Sequence, residues 1–186
     1  MNRGPLSGSF SVYYDDFDDF IFQAGTGLEE DGLPLRLWAQ QDAEFKGGEI
    51  EFRLDLGKNA LGSWQLFGFY DQVQAELSDG SNVPLIPPQR LGVGVDWAKD
   101  GWRGNVTWIN ADDHTDTAAF ETRTPGYDLL NAELSYKVKK AKSDLILFFK
   151  GQNLLDEDIR YSTSTLKDDA PQIGRNLVFG VRINFP

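Results

Sequence analysis

The chain has 186 residues and a formal net charge of −11, and hydrophobic residues make up 40% of it. This composition is too apolar for a disordered chain, and the length supports a sizeable core. The acidic balance excludes nucleic acid as the main partner, because phosphate binding needs a basic face. The absence of cysteine excludes disulfides and thiol catalysis.

Apolar and polar residues alternate with a period of two along most of the chain, which is typical of strands with two unlike faces. In chain order, the alternating segments are 10–23, 35–45, 50–56, 63–77, 91–97, 102–110, 130–138, 144–152 and 177–185. If 33–56 is one long strand, bulged at Gly47 and Gly48, the chain contains about eight strands.

The connections between these strands alternate in length. Short turns are predicted at 57–61, 99–101 and 139–143, and longer polar segments at 24–32, 78–89, 111–126 and 153–174. This pattern predicts an all-β, antiparallel up-and-down meander with unlike ends, as in transmembrane β-barrels. The alternation within the strands fits a soluble β-sheet equally well, so the residues alone leave both classes open.

Five short sequence blocks follow one another along the chain. They are YYDDFDDFI at 13–21, DAEFKGGE at 42–49, PGYDLLN at 125–131, KGQNLLD at 150–156, and GRN at 174–176 before the strand that ends at Phe185. Together they resemble the C-terminal part of a TonB-dependent outer-membrane receptor.

The resemblance implies that residues 1–186 are a section of a larger transmembrane β-barrel of roughly 22 strands. The plug domain and the earlier strands are not recognisable in the chain, which we interpret as a truncated reading frame, a split gene or a cut piece. The implied location is the Gram-negative outer membrane, with the long loops outside. The first and last strands are then expected to be unpaired.

The implied function is energised uptake of a scarce nutrient: a metal ion, metal chelate, siderophore or haem. Segments 121–126 and 166–175 look most like the zinc-uptake branch. The implied partners are outer-membrane lipid and lipopolysaccharide, the barrel assembly machinery, the TonB complex through an absent N-terminal part, and a small ligand such as zinc or an iron chelate. The alternative is a soluble β-sandwich module that binds carbohydrate through its aromatic residues.

The last strand resembles the family's assembly signal. Gly180, Ile183 and Phe185 occupy its glycine, apolar and aromatic positions. Two residues depart from the pattern: Val178 stands where a polar residue is usual, and Pro186 follows the aromatic residue.

One acidic cluster contains the only histidine of the chain. Imidazole and carboxylate groups suit zinc, so Asp112, Asp113, His114 and Asp116 are candidate metal ligands. The alternative is a solvated loop rich in turn-forming residues.

We expect no enzymatic activity and no cofactor. Glu49 and Glu51, two apart on a predicted strand, point the same way, and 156–158 lie in a predicted loop without fixed geometry. Neither set places two carboxylates opposite each other across a substrate, as glycoside hydrolysis requires.

Overall fold

A single antiparallel sheet forms the whole fold. The computed structural model of the protein describes residues 4–140 and 143–185. Its strands, paired in chain order, are β1 Leu6–Glu30, β2 Leu33–Asn59, β3 Gly62–Leu77, β4 Arg90–Lys99, β5 Trp102–Ala111, β6 Tyr127–Lys140, β7 Ser143–Gln152 and β8 Asn176–Asn184. The predicted eight-stranded meander is confirmed. The middle of the predicted turn at 139–143, and Pro186, lie outside the described residues.

The three long connections lie at one end of the sheet, which we call the long-loop end, together with the tight β1–β2 turn; the other connections lie at the opposite, short-turn end. The predicted loops 78–89, 111–126 and 153–174 match the gaps between strands to within two residues. None of the described residues belongs to a helix that could span a membrane.

The predicted loop at 24–32 is wrong. Strand β1 continues to Glu30, and only Asp31 and Gly32 form the turn, with φ angles of 53° and 80°. Two consecutive positive φ angles match the right-handed twist of a tight hairpin. The β1–β2 hairpin therefore projects well beyond the other strands.

The predicted bulge at Gly47 and Gly48 is also wrong, because both residues pair in regular register with β1 and with β3. The ring of Tyr13 lies over Gly47, where a Cβ atom would collide with it. Gly47 therefore serves close packing. The irregular positions lie elsewhere, including one between Phe17 and Phe20 on β1.

The sheet is open. Strand β1 pairs with β2 and strand β8 pairs with β7, and no pairing joins β1 to β8 in the described part of the chain. The expectation that the first and last strands do not pair with each other is therefore confirmed. Each edge presents a row of backbone groups without sheet partners.

The strands are strongly staggered. One row of paired residues crosses the whole sheet through Leu6, Leu54, Leu66, Val95, Val106, Ala132, Gly151 and Leu177. It starts at the short-turn end of β1 and finishes at the long-loop end of β8. Such a stagger accompanies strands that tilt relative to the axis of a barrel.

One face of the sheet is apolar and exposed. Leu134, Phe149, Phe179 and Val181 belong to it, and the Phe179 side chain is 71% exposed. The accessible surface of the chain is 12556 Å². A compact monomer of this mass is expected to expose about 9,000 Å². The apolar face therefore lacks the cover that a water-soluble fold would give it.

The opposite face is polar, and its side chains pair across neighbouring strands. Asn105 donates a hydrogen bond to Asp96 at 2.7 Å, and Lys150 forms an ion pair with Glu133 at 2.9 Å. Arg182 lies on this face as well, beside Ile146 of β7. The alternation thus places Leu134 and Phe179 on one side, and Glu133 and Arg182 on the other.

Aromatic residues gather on the apolar face at the short-turn end. The rings of Trp64 and Trp97 lie 6.1 Å apart, and those of Trp102 and Tyr136 lie 4.6 Å apart. The indole N–H of Trp97 donates to the carbonyl of Leu61 at 2.7 Å. Such rings, apolar with one polar group, suit a membrane–water interface.

The two faces predict unequal effects of substitution. Phe179→Arg puts a charge on the apolar face, which costs about 2–4 kcal/mol at the middle of a bilayer. Arg182→Gln changes only the polar face and is expected to be neutral. The heat-modifiable fraction of the complete barrel in outer membranes measures assembly. Equal losses for both variants would contradict the assignment of the faces.

Close packing of a ring on glycine gives a second prediction. The Phe69 ring occupies the space that a Cβ atom of Gly92 would fill, whereas the nearest neighbour of a Cβ atom at Gly48 would be Ser11 O at 3.4 Å. Gly92→Val is expected to lower the stability of the complete barrel by about 1–3 kcal/mol through overpacking. Gly48→Val is the matched control, and urea unfolding in lipid vesicles measures both. A Gly92→Val barrel as stable as the control would refute the prediction.

Candidate functional site

Three long loops fold together over the polar face at the long-loop end. We name them by the strands they join: loop β3–β4 (78–89), loop β5–β6 (112–126) and loop β7–β8 (153–175). Asn82 donates to Thr117 O at 3.2 Å, Ser162 donates to Ile86 O at 2.9 Å, and Thr122 donates to the Asp168 carboxylate at 2.7 Å. Each loop is therefore hydrogen-bonded to at least one other.

A small apolar core anchors loop β3–β4 to the sheet. Val83 is buried against Ala43, Ala75 and Leu77. Partly buried rings and an isoleucine surround this core: Phe20, Phe22, Phe45 and Ile86. This packing fixes loop β3–β4 beside the base of the β1–β2 hairpin.

Glu121 is the centre of the polar contacts between the loops. Its carboxylate lies 3.1 Å from Lys167 Nζ and accepts hydrogen bonds from the backbone N–H groups of Ala118 (3.1 Å) and Leu85 (3.3 Å). The side chains of Glu121 and Lys167 are only 1% and 3% exposed. Lys167 also donates to Thr122 O at 2.7 Å. The pair is buried, and its charges are met by hydrogen bonds.

His114 lies beside this pair. Its backbone pairs with Thr124 at 2.8 and 3.1 Å, and its Nε2 atom lies 3.9 Å from Glu121 Oε1. His114 Nε2 and Thr124 Oγ1 are buried and have no hydrogen-bond partner among the described residues. Burial lowers the pKa of His114 below its usual value; Lys167 lowers it further, and Glu121 and Asp116 oppose the shift. The histidine is therefore neutral at pH 7.

The structure does not bring the four predicted metal ligands together. Asp113 accepts a hydrogen bond from Gly126 N at 2.6 Å, and His114 lies beside Glu121. Within 4–140 and 143–185, no three His, Asp or Glu side chains are close enough to hold a metal ion. Zinc binding by Asp112, Asp113, His114 and Asp116 stays a prediction, without support from their arrangement.

A cavity of about 350 Å³ lies between the loops and the polar face at the long-loop ends of β4, β5 and β6. Tyr127 of β6 and Tyr161 of loop β7–β8 line it, with their ring centres 5.9 Å apart. Arg90 also lines it and forms a two-pronged ion pair with Asp71, with both N–O distances 3.0 Å. The cavity therefore combines aromatic rings with a guanidinium whose charge is matched.

The residues that meet in this region come from segments far apart in the chain. Glu121 and Lys167 lie within the two segments, 121–126 and 166–175, that resemble the zinc-uptake branch. Neither residue is recognisable as part of a site from the sequence alone. The same is true of the pair formed by Tyr127 and Tyr161. Only the fold brings these loops into contact.

Of the proposed assembly-signal residues, Gly180 and Ile183 lie on β8 and Phe185 directly follows it. The Phe148 ring covers Gly180 on the polar face, Ile183 is exposed on the apolar face, and Phe185 is exposed as well. Val178, one of the two departures, faces the polar side opposite Lys150. Recognition of these residues by the assembly machinery stays a prediction.

An up-and-down sheet with an exposed apolar face, a polar face and loops gathered at one end defines a section of transmembrane β-barrel wall. The family model described as "TonB dependent receptor-like, beta-barrel" matches residues 1–154. The chain therefore belongs to the TonB-dependent receptor β-barrel family, which confirms the resemblance, and its place is the Gram-negative outer membrane.

Two solved structures have a similar fold. The copper transporter OprC aligns over 99% of this chain with a TM-score of 0.80 and 20% identity. FpvA of P. aeruginosa, solved with heterologous pyoverdines, aligns over 95% with a TM-score of 0.59 and 18% identity. The chain spans 30% of the length of the first structure and 24% of the second.

The family is one of receptors and transporters rather than of enzymes. TonB-dependent receptors act with TonB and bind small nutrient ligands such as metals or siderophores. The alternative of a soluble carbohydrate-binding sandwich is not favoured.

The position of His114 predicts a pH dependence of the loops. Because its pKa is lowered on folding, the opened loops bind a proton that the closed loops do not, at pH values between the lowered pKa and about 6.5. The stability of the closed loops is therefore full above about pH 6.5 and decreases as the pH falls through this window.

Amide hydrogen exchange of loop peptides in the complete receptor, corrected for intrinsic rates, measures this stability. The decrease on acidification is expected to shrink in His114→Gln. A variant with the same pH dependence as the parent protein would show that another group is responsible.

Proposed function

We propose that the chain forms wall and outside loops of a receptor for energised uptake of a scarce nutrient across the outer membrane. Candidate nutrients are a metal ion, a metal chelate, a siderophore or haem. Membership of the family and the cavity beneath the loops support this proposal. The cavity lies on the polar face, the side that faces the lumen in a barrel of this kind.

The lipid partner follows from the exposed apolar face, and the protein partners follow from membership of the family. The apolar face contacts lipid, and lipopolysaccharide surrounds its long-loop end. The TonB complex acts through a part of the receptor outside this chain. The assembly machinery recognises β8. The long loops face the outside, where they meet the ligand before the lumen does.

The charge of the loops supports a cationic cargo. Each of the three loops carries more acidic than basic residues, and the β1–β2 turn region adds Glu29, Glu30 and Asp31. The buried pair of Glu121 and Lys167 removes one charge of each sign from the loop surface, so the acidic excess remains. An acidic entrance attracts cations and opposes anions, so we favour a metal ion or a cationic chelate over an anionic siderophore.

Both structural neighbours carry metal-related names, one for copper transport and one for ferric pyoverdine. Their names support a metal or a metal chelate as the class of cargo. Zinc is the specific candidate suggested by segments 121–126 and 166–175.

The cavity gives a test of ligand contact. Tyr161→Ala removes one of the two rings that line the cavity, whereas Phe120→Ala removes an exposed ring of loop β5–β6 that does not line it. In the complete receptor, titration calorimetry with Cu²⁺, Zn²⁺ and a ferric chelate identifies the cargo that binds. Tyr161→Ala is expected to weaken that binding about tenfold, or about 1.4 kcal/mol, and Phe120→Ala to leave it unchanged.

Two results would contradict the proposal. If neither metal nor chelate binds the complete receptor, the class of cargo is wrong. If binding occurs and both variants match the parent, the cavity lies outside the ligand site.

A further inference from the structure

We infer that loops β3–β4, β5–β6 and β7–β8 open and close as one lid, and that the buried contact between Glu121 and Lys167 is its latch. The inference concerns movement of the loops and does not depend on which nutrient is carried. It rests on the position of one carboxylate among three loops.

Glu121 receives contacts from all three loops. Lys167 belongs to loop β7–β8, Leu85 to loop β3–β4, and Ala118 to the loop of Glu121 itself. The other charged and titratable neighbours are His114, 3.9 Å away, and Asp116, which is close enough to His114 to affect its pKa. The carboxylate is thus an acceptor shared by segments of all three loops.

Because this acceptor is buried, the loss of its charged partner is costly. Removing one partner of a buried ion pair leaves an uncompensated charge, which is far more destabilising than loss of an exposed pair. If loop β7–β8 lifted alone, Glu121 would lose Lys167 while still packed against loop β3–β4. Opening all three loops together lets water reach the carboxylate instead, so joint opening is favoured over separate opening.

Further contacts tie the same loops together around the latch. The Thr122 hydroxyl donates to the carboxylate of Asp168, the residue after Lys167. Arg160, which lines the cavity, donates to the carbonyls of Lys167 and Asp168 at 2.6 and 2.7 Å. A cavity residue is therefore bonded directly to the segment that carries the latch.

Hydrogen exchange of the complete receptor in outer-membrane vesicles tests the inference without any ligand. We expect Lys167→Met to speed exchange at least tenfold (~1.4 kcal/mol) in all three loops, including the Leu85 and His114 amides. The short turns at the other end of the sheet are expected to be unchanged. Acceleration confined to loop β7–β8 would overturn the inference, because the loops would then open independently.

Asp158→Asn is the matched control. Asp158 pairs with Arg160 in the same loop at 3.4 Å, but its side chain is 67% exposed. Its loss is expected to leave exchange within twofold of the parent, as for exposed pairs generally. A control that accelerates all three loops as much as Lys167→Met would show that any change in loop β7–β8 has this effect, and the latch would be rejected.

A double variant tests the pair itself. Glu121→Gln combined with Lys167→Met should accelerate exchange less than the product of the two single effects, because each change removes the same interaction. Simple multiplication of the two effects would contradict a latch. If Lys167→Met does not assemble by the heat-modifiability test, Glu121→Gln alone, which keeps size and an acceptor oxygen, must accelerate all three loops.

Discussion

Backbone hydrogen bonding in lipid is the constraint on which the rest of the structure depends. An unpaired N–H or C=O group in a bilayer costs several kcal/mol, so a membrane-spanning sheet must close on itself. This sheet has the exposed apolar face of a membrane wall and two free edges, at β1 and β8. In a bilayer, both edges need strand partners beyond the pairings within this sheet. The stagger from Leu6 to Leu177 gives the strands the tilt of a barrel wall that such partners would complete.

The strands were predictable because alternation with period two is a local property of the chain. Any strand between lipid and a polar lumen must alternate, so 91–97 and 177–185 are recognisable without tertiary information. The hairpin above β1 and β2 was not predictable in the same way. Segment 24–32 contains glycines and acidic residues typical of a loop, yet residues 24, 25, 29 and 30 pair with residues in 33–37 and keep the segment in the strand as far as Glu30. Two adjacent glycines, 47 and 48, are typical of a bulge. The ring that requires Gly47 is that of Tyr13 on the neighbouring strand, and no local pattern indicates this contact.

The loop cluster was the least predictable part. Composition indicated acidic loops and drew attention to His114 with its neighbouring aspartates. It did not indicate that His114 is buried beside Glu121. It also did not indicate that Lys167, more than 40 residues beyond Glu121 in the chain, contacts that carboxylate. Contacts between loops depend on how the neighbouring strands position those loops, and no periodic pattern in the sequence indicates such contacts. The two segments that carried the zinc-branch resemblance, 121–126 and 166–175, include the two members of the buried pair.

Pairing between the two edge strands tests the central account most directly. In a double variant with Phe10→Cys on β1 and Phe179→Cys on β8, a disulfide can form within one chain only if these strands are neighbours. For the chain expressed alone with an export signal, the account predicts no disulfide and no compact heat-modifiable monomer, since the edges lack partners. A disulfide-linked, heat-modifiable monomer in the outer membrane would show that the eight strands close into a small barrel, and would contradict the account.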